Sequence, residues 1–283
     1  MDYKFKTVRT VEALRAQVSH WRRLDMRTAL VPTMGALHAG HLRLVEMGLR
    51  TADRVVVTIF VNPQQFAPGE DLDGYPRTEK SDVEKLRAAG AHLVYAPAQL
   101  EMYPEDFCTS VTLGGPAKAG LEDKYRPHFF DGVATVVAKL FIAAGCDYAM
   151  FGEKDFQQLK VVTRMARDLS IPTTVIGVPT VRADNGLALS SHNEYLSDAE
   201  RTIAPLLHRT LQDLAADIRA GKNISRSCAT SKRRLKDAGF KPDYVEARVA
   251  ETLAPATSST ETELRILAAC WLGKTRLIDN IAV

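Results

Sequence analysis

The sequence predicts an α/β protein in which a parallel sheet covered by helices is followed by a smaller α+β domain. Three observations predict this fold class. Short apolar runs alternate with segments of helical spacing as far as about residue 180. One of these runs, Arg54 to Val61, is continuous and β-branched, which is typical of a strand buried on both faces. Beyond residue 180 the alternation stops, so we divide the chain into domains at 1–180 and 181–283.

The elements of the first domain follow from apolar spacing and from punctuation by glycine and proline. The segment 10–24 carries its apolar residues at helical spacing, and we expect this helix to cover the sheet. In chain order, we expect strands at 28–31, 54–61, 92–96, 109–113, 147–151 and 173–179. We expect one helix that has His38 and His41 at its start, further helices at 81–90 and 131–144, and irregular chain at 114–130. Strands that alternate with helices predict parallel pairing through right-handed crossovers.

The second domain opens with a turn-rich segment in which Asp184-Asn185-Gly186 is a turn signal. Ser197 is a suitable N-cap for a helix that we expect over 198–220. A helix at 224–238 and strands at 244–249 and 264–271 follow it. Helices and strands no longer alternate strictly here, which favours a small α+β arrangement.

Composition excludes several classes of protein. The formal net charge of the 283 residues is only +3, which argues against nucleic acid as a partner. The apolar stretches are too short to span a bilayer, and the N-terminus lacks the apolar core of a signal peptide, so we expect no membrane partner. The four cysteines are scattered and form no C-x-x-C pair, which argues against a zinc site or a disulfide framework and suits the cytoplasm.

The segment Pro32 to His41 joins the first predicted strand, at 28–31, to a helix. Gly35 is placed where the backbone must turn sharply, and His38 and His41 fall at the helix start, where free N–H groups attract anions. Gly40 between them would leave room for a ligand against the backbone. Histidines at such a place can also serve only as caps or packing residues. Because open α/β sheets bind ligands where a strand passes into a helix, we favour a phosphate site.

Polar side chains follow two other strands of the predicted sheet. Asn62-Pro63-Gln64-Gln65 comes after the strand at 54–61, and Gly152 to Gln158 comes after the strand at 147–151. The carboxyl ends of parallel strands meet at one edge, so we expect the amides at 62–65 beside His38 and His41. The second junction places a glycine, a lysine, two carboxylates and two glutamines at another sheet edge. Lys154 could neutralise phosphate oxygens there, although a Lys–Asp pair that opens a helix is usually only surface charge.

These motifs, taken together, resemble the pantothenate synthetase (pantoate–β-alanine ligase) family of the H-x-G-H nucleotidyltransferase group. The resemblance runs nearly end to end and is carried by Pro32 to His41, Ile59 to Phe66, Tyr75 to Thr78, Phe151 to Gln158, Gly186 to Leu196, Trp271 to Gly273 and Arg276 to Asn280. It implies a Rossmann-like first domain that binds ATP and pantoate. It also implies an ATP- and Mg²⁺-dependent condensation of pantoate with β-alanine, through a pantoyl-adenylate intermediate, in a homodimer.

The resemblance also assigns residues to roles. It implies that His38, His41 and Lys154 are catalytic. The ATP site would comprise Met34, Gly35, His38, Gly40, His41, Gly152, Glu153, Lys154, Asp155, Val181, Leu189, Ser190, Ser191 and His192. Pantoate and β-alanine would contact Gln65, Gln158, Asn62 and Tyr75. No ligands for Mg²⁺ are assigned.

Two segments depart from the family pattern. Ser190-Ser191-His192-Asn193 has a histidine where the family usually has arginine, and Arg126-Pro127-His128-Phe129-Phe130 stands for Arg-Pro-Gly-His-Phe. Imidazole is roughly neutral at pH 7, so a fixed cation is replaced. Two alternatives to the ligase therefore stay open. One is a nucleotide-binding relative with weakened activity, and the other is an adenylyltransferase of the same group.

Overall fold

The computed structural model describes residues 5–66, 72, 74–258 and 263–283. The chain forms two compact units, Met1–Gly152 with Gln158–Val178, and Glu153–Gln157 with Pro179–Val283. The second unit thus begins at Pro179 but also includes Glu153–Gln157, which the sequence-based boundary assigns to the first domain. We describe each unit separately.

The first unit contains a six-stranded parallel sheet in the order β1-β4-β3-β2-β5-β6. Its strands are β1 (Lys6–Val8), β2 (Thr28–Thr33), β3 (Arg54–Ile59), β4 (Leu93–Tyr95), β5 (Tyr148–Gly152) and β6 (Thr174–Val178). From the central strand β2 the chain runs outward through β3 and β4, then returns to β5 on the other side. Ligands of open α/β sheets bind outside the carboxyl ends of strands at such a reversal of strand order. The predicted α/β class and its parallel sheet are confirmed.

Helices of the first unit cover this sheet. They are α1 (Val11–Arg23), α2 (Ala39–Thr51), α3 (Glu79–Ala88), α4 (Gln99–Met102), α5 (Glu122–Tyr125), α6 (Phe129–Ala144) and α7 (Phe156–Asp168). The first two residues of α7 belong to the second unit. Thr10 caps α1 by accepting a hydrogen bond from the Ala13 N–H at 3.2 Å. Helix α6 is apolar and buried along most of its length, as a helix inside a core must be.

The second unit packs helices against an antiparallel sheet in the order β7-β8-β9. Its elements are α8 (Asp198–Ile203), α9 (Leu206–Arg219), α10 (Ile224–Asp237), β7 (Phe240–Val249), β8 (Leu264–Leu272) and β9 (Thr275–Ala282). Leu207, Leu211 and Leu214 on one face of α9 belong to the same buried cluster as Ile266 on β8. This confirms the smaller α+β unit that follows the parallel sheet.

Several predicted elements are wrong in detail. Residues 109–113 form no strand, since the Val111 N–H donates to the Thr135 hydroxyl at 2.9 Å instead of to a neighbouring strand. The segment 114–130 is not wholly irregular, because it contains a 3₁₀ turn, Gly115–Lys118, and helix α5. The helix expected over 198–220 is divided at Pro205, because proline has no backbone N–H to donate to the preceding turn of an α-helix.

Other differences concern what the sequence pattern missed. Strand β1 is too short for its periodicity to be recognised, and β9 was not predicted. Residues 67–71, 73 and 259–262 lie outside the described residues. None of the helices in the described ranges is long and apolar enough to cross a membrane.

Candidate active site

His38 and His41 form a reciprocal cap at the start of α2. His38 Nδ1 accepts from the Gly40 N–H at 3.1 Å, and His41 Nδ1 accepts from the His38 N–H at 3.3 Å. The two ring centroids are 4.1 Å apart. The helix therefore begins with both imidazoles side by side and half-buried, at the carboxyl end of the central strand β2.

This cap determines which ring nitrogen carries the proton. An Nδ1 atom that accepts a hydrogen bond leaves the proton of a neutral imidazole on Nε2. His38 and His41 are then both donors through Nε2–H while uncharged. Two such donors at a helix N-terminus suit the oxygens of a phosphate group.

The two glycines of this turn serve different steric needs. Gly35 has a φ of +86°, which L-residues rarely adopt, so the expected sharp turn is present. A Cβ at Gly40 would lie 2.8 Å from His38 Cε1. Gly40 therefore makes room for the His38 ring, whereas the sequence-based interpretation gave that room to a ligand.

The turn after β3 holds Gln65 through Asn62. Asn62 is buried, and its Nδ2 donates to Gln65 Oε1 at 2.9 Å and to the Gly132 carbonyl at 3.1 Å. Asn62 Oδ1 accepts from the Tyr103 hydroxyl at 2.8 Å. Because Gln65 Oε1 is engaged, the Gln65 amide group presents N–H donors, which suit a carboxylate or a hydroxyl oxygen. The structure thus places Asn62 behind Gln65 as its support.

Helix α6 backs the same turn. A Cβ at Gly132 would lie only 2.2 Å from the Gln64 carbonyl oxygen, so only glycine allows this approach. Arg126 Nη2 donates to the Gln65 carbonyl at 2.9 Å, and its guanidinium lies 4.0 Å from the centre of the Phe129 ring. Arg126 therefore supports the Gln65 backbone.

Four other predicted residues lie in the first unit. Met34 is half-buried directly after β2, and Gln158 is half-buried in the first turn of α7. The Tyr75 ring lies edge-on to the Phe66 ring with a centroid separation of 5.8 Å. Gly152 ends β5 with ordinary backbone geometry, and a Cβ there would meet no atom within 4 Å.

In the second unit, β8 and β9 hold the turn Glu153–Asp155. Asn280 Nδ2 donates to the Glu153 and Lys154 carbonyls, each at 2.8 Å. Arg265 binds the Glu153 carboxylate at 2.9 Å and also donates to Asn280 Oδ1 at 2.7 Å. These contacts fix the backbone of Glu153 and Lys154, while Asp155 is exposed.

Val181 and Leu189 face each other in a short hairpin of the second unit. The Leu189 N–H donates to the Val181 carbonyl at 2.9 Å, and Gly186, with a φ of +92°, turns the chain. Arg182 next to Val181 forms two 2.8 Å hydrogen bonds with the buried Asp279 carboxylate. The hairpin is therefore anchored to β9 by a bidentate ion pair.

Asp279 is charged although it is buried. Burial by itself would raise the pKa of Asp279, but His208 and Arg182 beside the carboxylate outweigh burial and lower that pKa. His208 Nδ1 lies 3.4 Å from Asp279 Oδ2. Asp279, His208, Ser190 and Lys154 line one cavity of the second unit, which brings two predicted ATP ligands together.

Ser190, Ser191 and His192 begin a 3₁₀ turn, Ser191–Tyr195. The Ser190 hydroxyl accepts from the His192 N–H at 3.3 Å, and Asn193 Nδ2 donates to the Ala188 carbonyl at 2.9 Å. The His192 side chain is exposed, with its ring 6.3 Å from the Tyr195 ring. This position holds an exposed imidazole where the resembling family has arginine.

Buried thiols offer no nucleophile. Burial raises the pKa of Cys146 and of Cys270 to about 12, so neither is a thiolate at neutral pH. Within the described ranges, no group of three or more His, Cys, Asp or Glu side chains could hold a metal ion.

The model of the pantoate-beta-alanine ligase family matches residues 6–282, almost the whole chain. The chain belongs to this family. A pantothenate synthetase of Rhodopseudomonas palustris is 55% identical over 275 residues, which are 97% of each of the two chains.

Solved structures of the ligase family resemble this fold. Pantothenate synthetase from Thermus thermophilus has a TM-score of 0.91 and 44% sequence identity, and the match covers 98% of both chains. Pantoate-beta-alanine ligase from Francisella tularensis, complexed with beta-gamma ATP and beta-alanine, has a TM-score of 0.82 and 28% identity. That match covers 98% of this chain and 97% of the other.

Sequence reasoning missed the residues that hold the ligase-family motifs in place. Asp82, Gly132, Tyr103, Asp279 and Asn280 all bind or pack against backbone or side chains of predicted site residues. Only Asn280 and Asp279 carried a signal, because they lie in the closing motif Arg276 to Asn280. The others are far from the motifs in sequence, and single-sequence patterns do not reveal such contacts.

Proposed function

We propose that this protein joins pantoate to β-alanine at the expense of ATP, with release of AMP and pyrophosphate. The observation that carries the proposal is the pair His38 and His41, held as two Nε2–H donors at a helix start, in a member of the ligase family. A second observation supports it, since the Gln65 amide presents N–H donors at the neighbouring strand end.

The chemistry is a two-step acyl transfer. In the first step a pantoate carboxylate oxygen attacks the α-phosphorus of ATP, the bond to the β-phosphate oxygen breaks, and pyrophosphate leaves. In the second step the β-alanine amine attacks the acyl carbon, loses a proton, and AMP leaves. Neither step needs a covalent bond to the protein, so its residues position the reactants and stabilise phosphate charge.

We assign the residues as follows. His38 and His41 donate to the triphosphate, where the charge of the departing pyrophosphate develops, and Lys154 adds a positive charge. Gln65, Gln158 and Tyr75 bind pantoate and β-alanine, with Asn62 acting through Gln65. The remaining ATP contacts are Met34, Gly35, Gly40, Gly152, Glu153, Asp155, Val181, Leu189, Ser190, Ser191 and His192.

Mg²⁺ enters this proposal as part of the substrate MgATP. Mg²⁺ binds through one or two carboxylates together with substrate phosphates and keeps several waters. The phosphates of ATP would therefore supply most of its ligands. We also propose a homodimer in the cytoplasm, and unpaired cysteines at 108, 146, 228 and 270 suit that compartment. Sedimentation analysis of the purified protein tests the dimer.

Isotope exchange tests the reaction. With pantoate present and β-alanine absent, labelled pyrophosphate should exchange into ATP, and added β-alanine should then release AMP and an amide in equal amounts. Exchange that strictly requires β-alanine would refute the adenylate route. Exchange without amide formation would identify an adenylyltransferase. If neither exchange nor amide formation is observed, the protein is an inactive nucleotide-binding relative.

A further inference from the structure

Asp82 on α3 binds the turn that precedes His38. Its carboxylate is fully buried, at 0% exposure, and accepts hydrogen bonds from the Ala36 and Leu37 N–H groups, each at 2.9 Å. The Thr78 hydroxyl donates to the same carboxylate at 2.9 Å, and Lys85 Nζ lies 3.7 Å from it. A buried charge is thus compensated by three donors and one cation.

The turn that Asp82 holds has an unusual backbone. Gly35 and Ala36 have φ values of +86° and +51°, so two consecutive residues lie in the left-handed region, which an L-alanine rarely occupies. Such a backbone persists only where its surroundings hold it. Here the Ala36 and Leu37 peptides are each directed at one oxygen of Asp82, and Lys85 Nζ donates to the Leu37 carbonyl at 2.8 Å.

This turn leads directly into the histidine cap. His38 follows Leu37 in the chain and is the N-cap of α2, and its own N–H binds the His41 ring. The direction of the Leu37 peptide therefore sets where both imidazoles lie. A change of about 1 Å in the position of such groups can lower a rate by roughly two orders of magnitude.

We propose that Asp82 is a positioning residue for the adenylation step. Through the Ala36 and Leu37 amides it sets His38 and His41 for the triphosphate, without itself touching ATP. The inference rests on the proposed function of the histidines and adds a residue to it. Consumption of the adenylate by β-alanine involves no triphosphate, so Asp82 should not affect that second step.

Asp82→Asn tests this assignment, because it keeps the shape of the side chain but turns one acceptor oxygen into an N–H donor that faces a backbone N–H. Pyrophosphate exchange should slow by about 10- to 100-fold. In single-turnover experiments, the rate at which β-alanine consumes the enzyme-bound adenylate should stay at the parent value. A general structural defect would slow both steps. Glu84→Gln, which neutralises an exposed carboxylate on the same helix, is the matched control and should change neither rate.

Lys85→Met gives a second test in case Asp82→Asn does not fold. Lys85 is exposed, so its replacement leaves the buried carboxylate in place and removes the donor to the Leu37 carbonyl together with the positive charge 3.7 Å from Asp82. Exchange should slow by a smaller factor, about 3- to 10-fold, with the second step unchanged. If the parent enzyme does not exchange pyrophosphate into ATP, the proposed function and this inference are both overturned. Parent-like exchange in every folded variant, or equal slowing of both steps, would overturn the inference alone.

Discussion

Replacing Gly132 by alanine should damage pantoate binding more than it damages the fold. Gly132 lies inside α6, and its added Cβ would stand 2.2 Å from the Gln64 carbonyl oxygen, 2.6 Å from the Gln64 carbonyl carbon and 3.1 Å from the Gln65 nitrogen. All three are backbone atoms, which cannot rotate away as a side chain can. The Gln64–Gln65 turn must therefore move by about 1 Å to restore ordinary contact.

Two opposing effects decide the free energy of unfolding. Inserting a methyl group into a packed contact costs about 1–3 kcal/mol. Alanine inside a helix is favoured over glycine by about 1 kcal/mol, which offsets part of that cost. The net loss is about 0–2 kcal/mol, which is smaller than the roughly 5–15 kcal/mol that stabilises a typical protein. We therefore expect Gly132→Ala to fold.

The functional cost should be larger. The displaced turn carries Gln65, and a misplacement of about 1 Å is expected to lower kcat/KM for pantoate by roughly 100-fold. That factor corresponds to about 2.7 kcal/mol of lost transition-state stabilisation. The KM for ATP should change much less, because His38 and His41 follow β2, not β3.

Steady-state kinetics with pantoate and ATP varied in turn, together with urea unfolding, measures these effects. The matched control is Gly114→Ala, since Gly114 has a negative φ and a Cβ there would meet nothing within 4 Å. It should leave both kinetics and stability at parent values. If Gly132→Ala retained kcat/KM for pantoate within twofold of the parent, the turn would be more tolerant than the geometry indicates and the reasoning would be refuted.

Three further changes test other parts of the site. Gly152→Ala adds a Cβ where no atom lies within 4 Å, so it should keep parent stability in urea while raising the KM for ATP at least tenfold, if ATP occupies that space. In calorimetry at pH 8, His192→Arg should bind ATP at least as tightly as the parent. The pH dependence of binding should be flatter, because guanidinium stays charged where imidazole does not. Weaker binding of ATP with the parent's pH dependence would show that His192 does not take the place of the family's arginine. Asp279→Asn should lower the free energy of unfolding at pH 7 by about 3–5 kcal/mol, since it leaves Arg182 without its buried partner. The lowered pKa of Asp279 means that its contribution is present above about pH 4 and is lost as the pH falls further, so urea midpoints of the parent should decline on acidification more steeply than those of the variant.

The sequence predicted the parallel sheet well because each buried strand has a local signature. Six of the eight residues from Arg54 to Val61 are β-branched, and the structure has β3 there at Arg54–Ile59. The sequence-based prediction was wrong where tertiary contacts outweigh the local preference of the chain. Val111 resembles a strand residue, yet its N–H binds Thr135 on α6, and the three-residue β1 is an edge strand that pairs with β4. Neither partner can be inferred from the neighbouring sequence.

In the candidate site, too, the sequence predicted local features but not tertiary contacts. The pattern H-x-G-H at a strand end predicted a helix start with two histidines, and that arrangement is present. The pattern did not predict that Gly40 accommodates the His38 ring, nor that the amide of Asn62 is engaged by Gln65, Gly132 and Tyr103. These details depend on side-chain rotamers and on helices that arrive much later in the chain.

A common physical reason explains why the supporting residues are polar and buried. The proposed reaction uses no protein nucleophile, so its rate depends on how accurately backbone turns and amide donors are placed. Apolar packing is non-directional, whereas a carboxylate or amide that binds two backbone groups fixes both the position and the orientation of a turn. Asp82 binds two N–H groups, and Asn280 binds two carbonyls. Replacing either residue by an apolar one would leave buried or partly buried backbone groups without these partners, at up to about 1–3 kcal/mol each, and would release the turn as well. Polar residues at these positions are therefore required for positioning even where an apolar core would be stable.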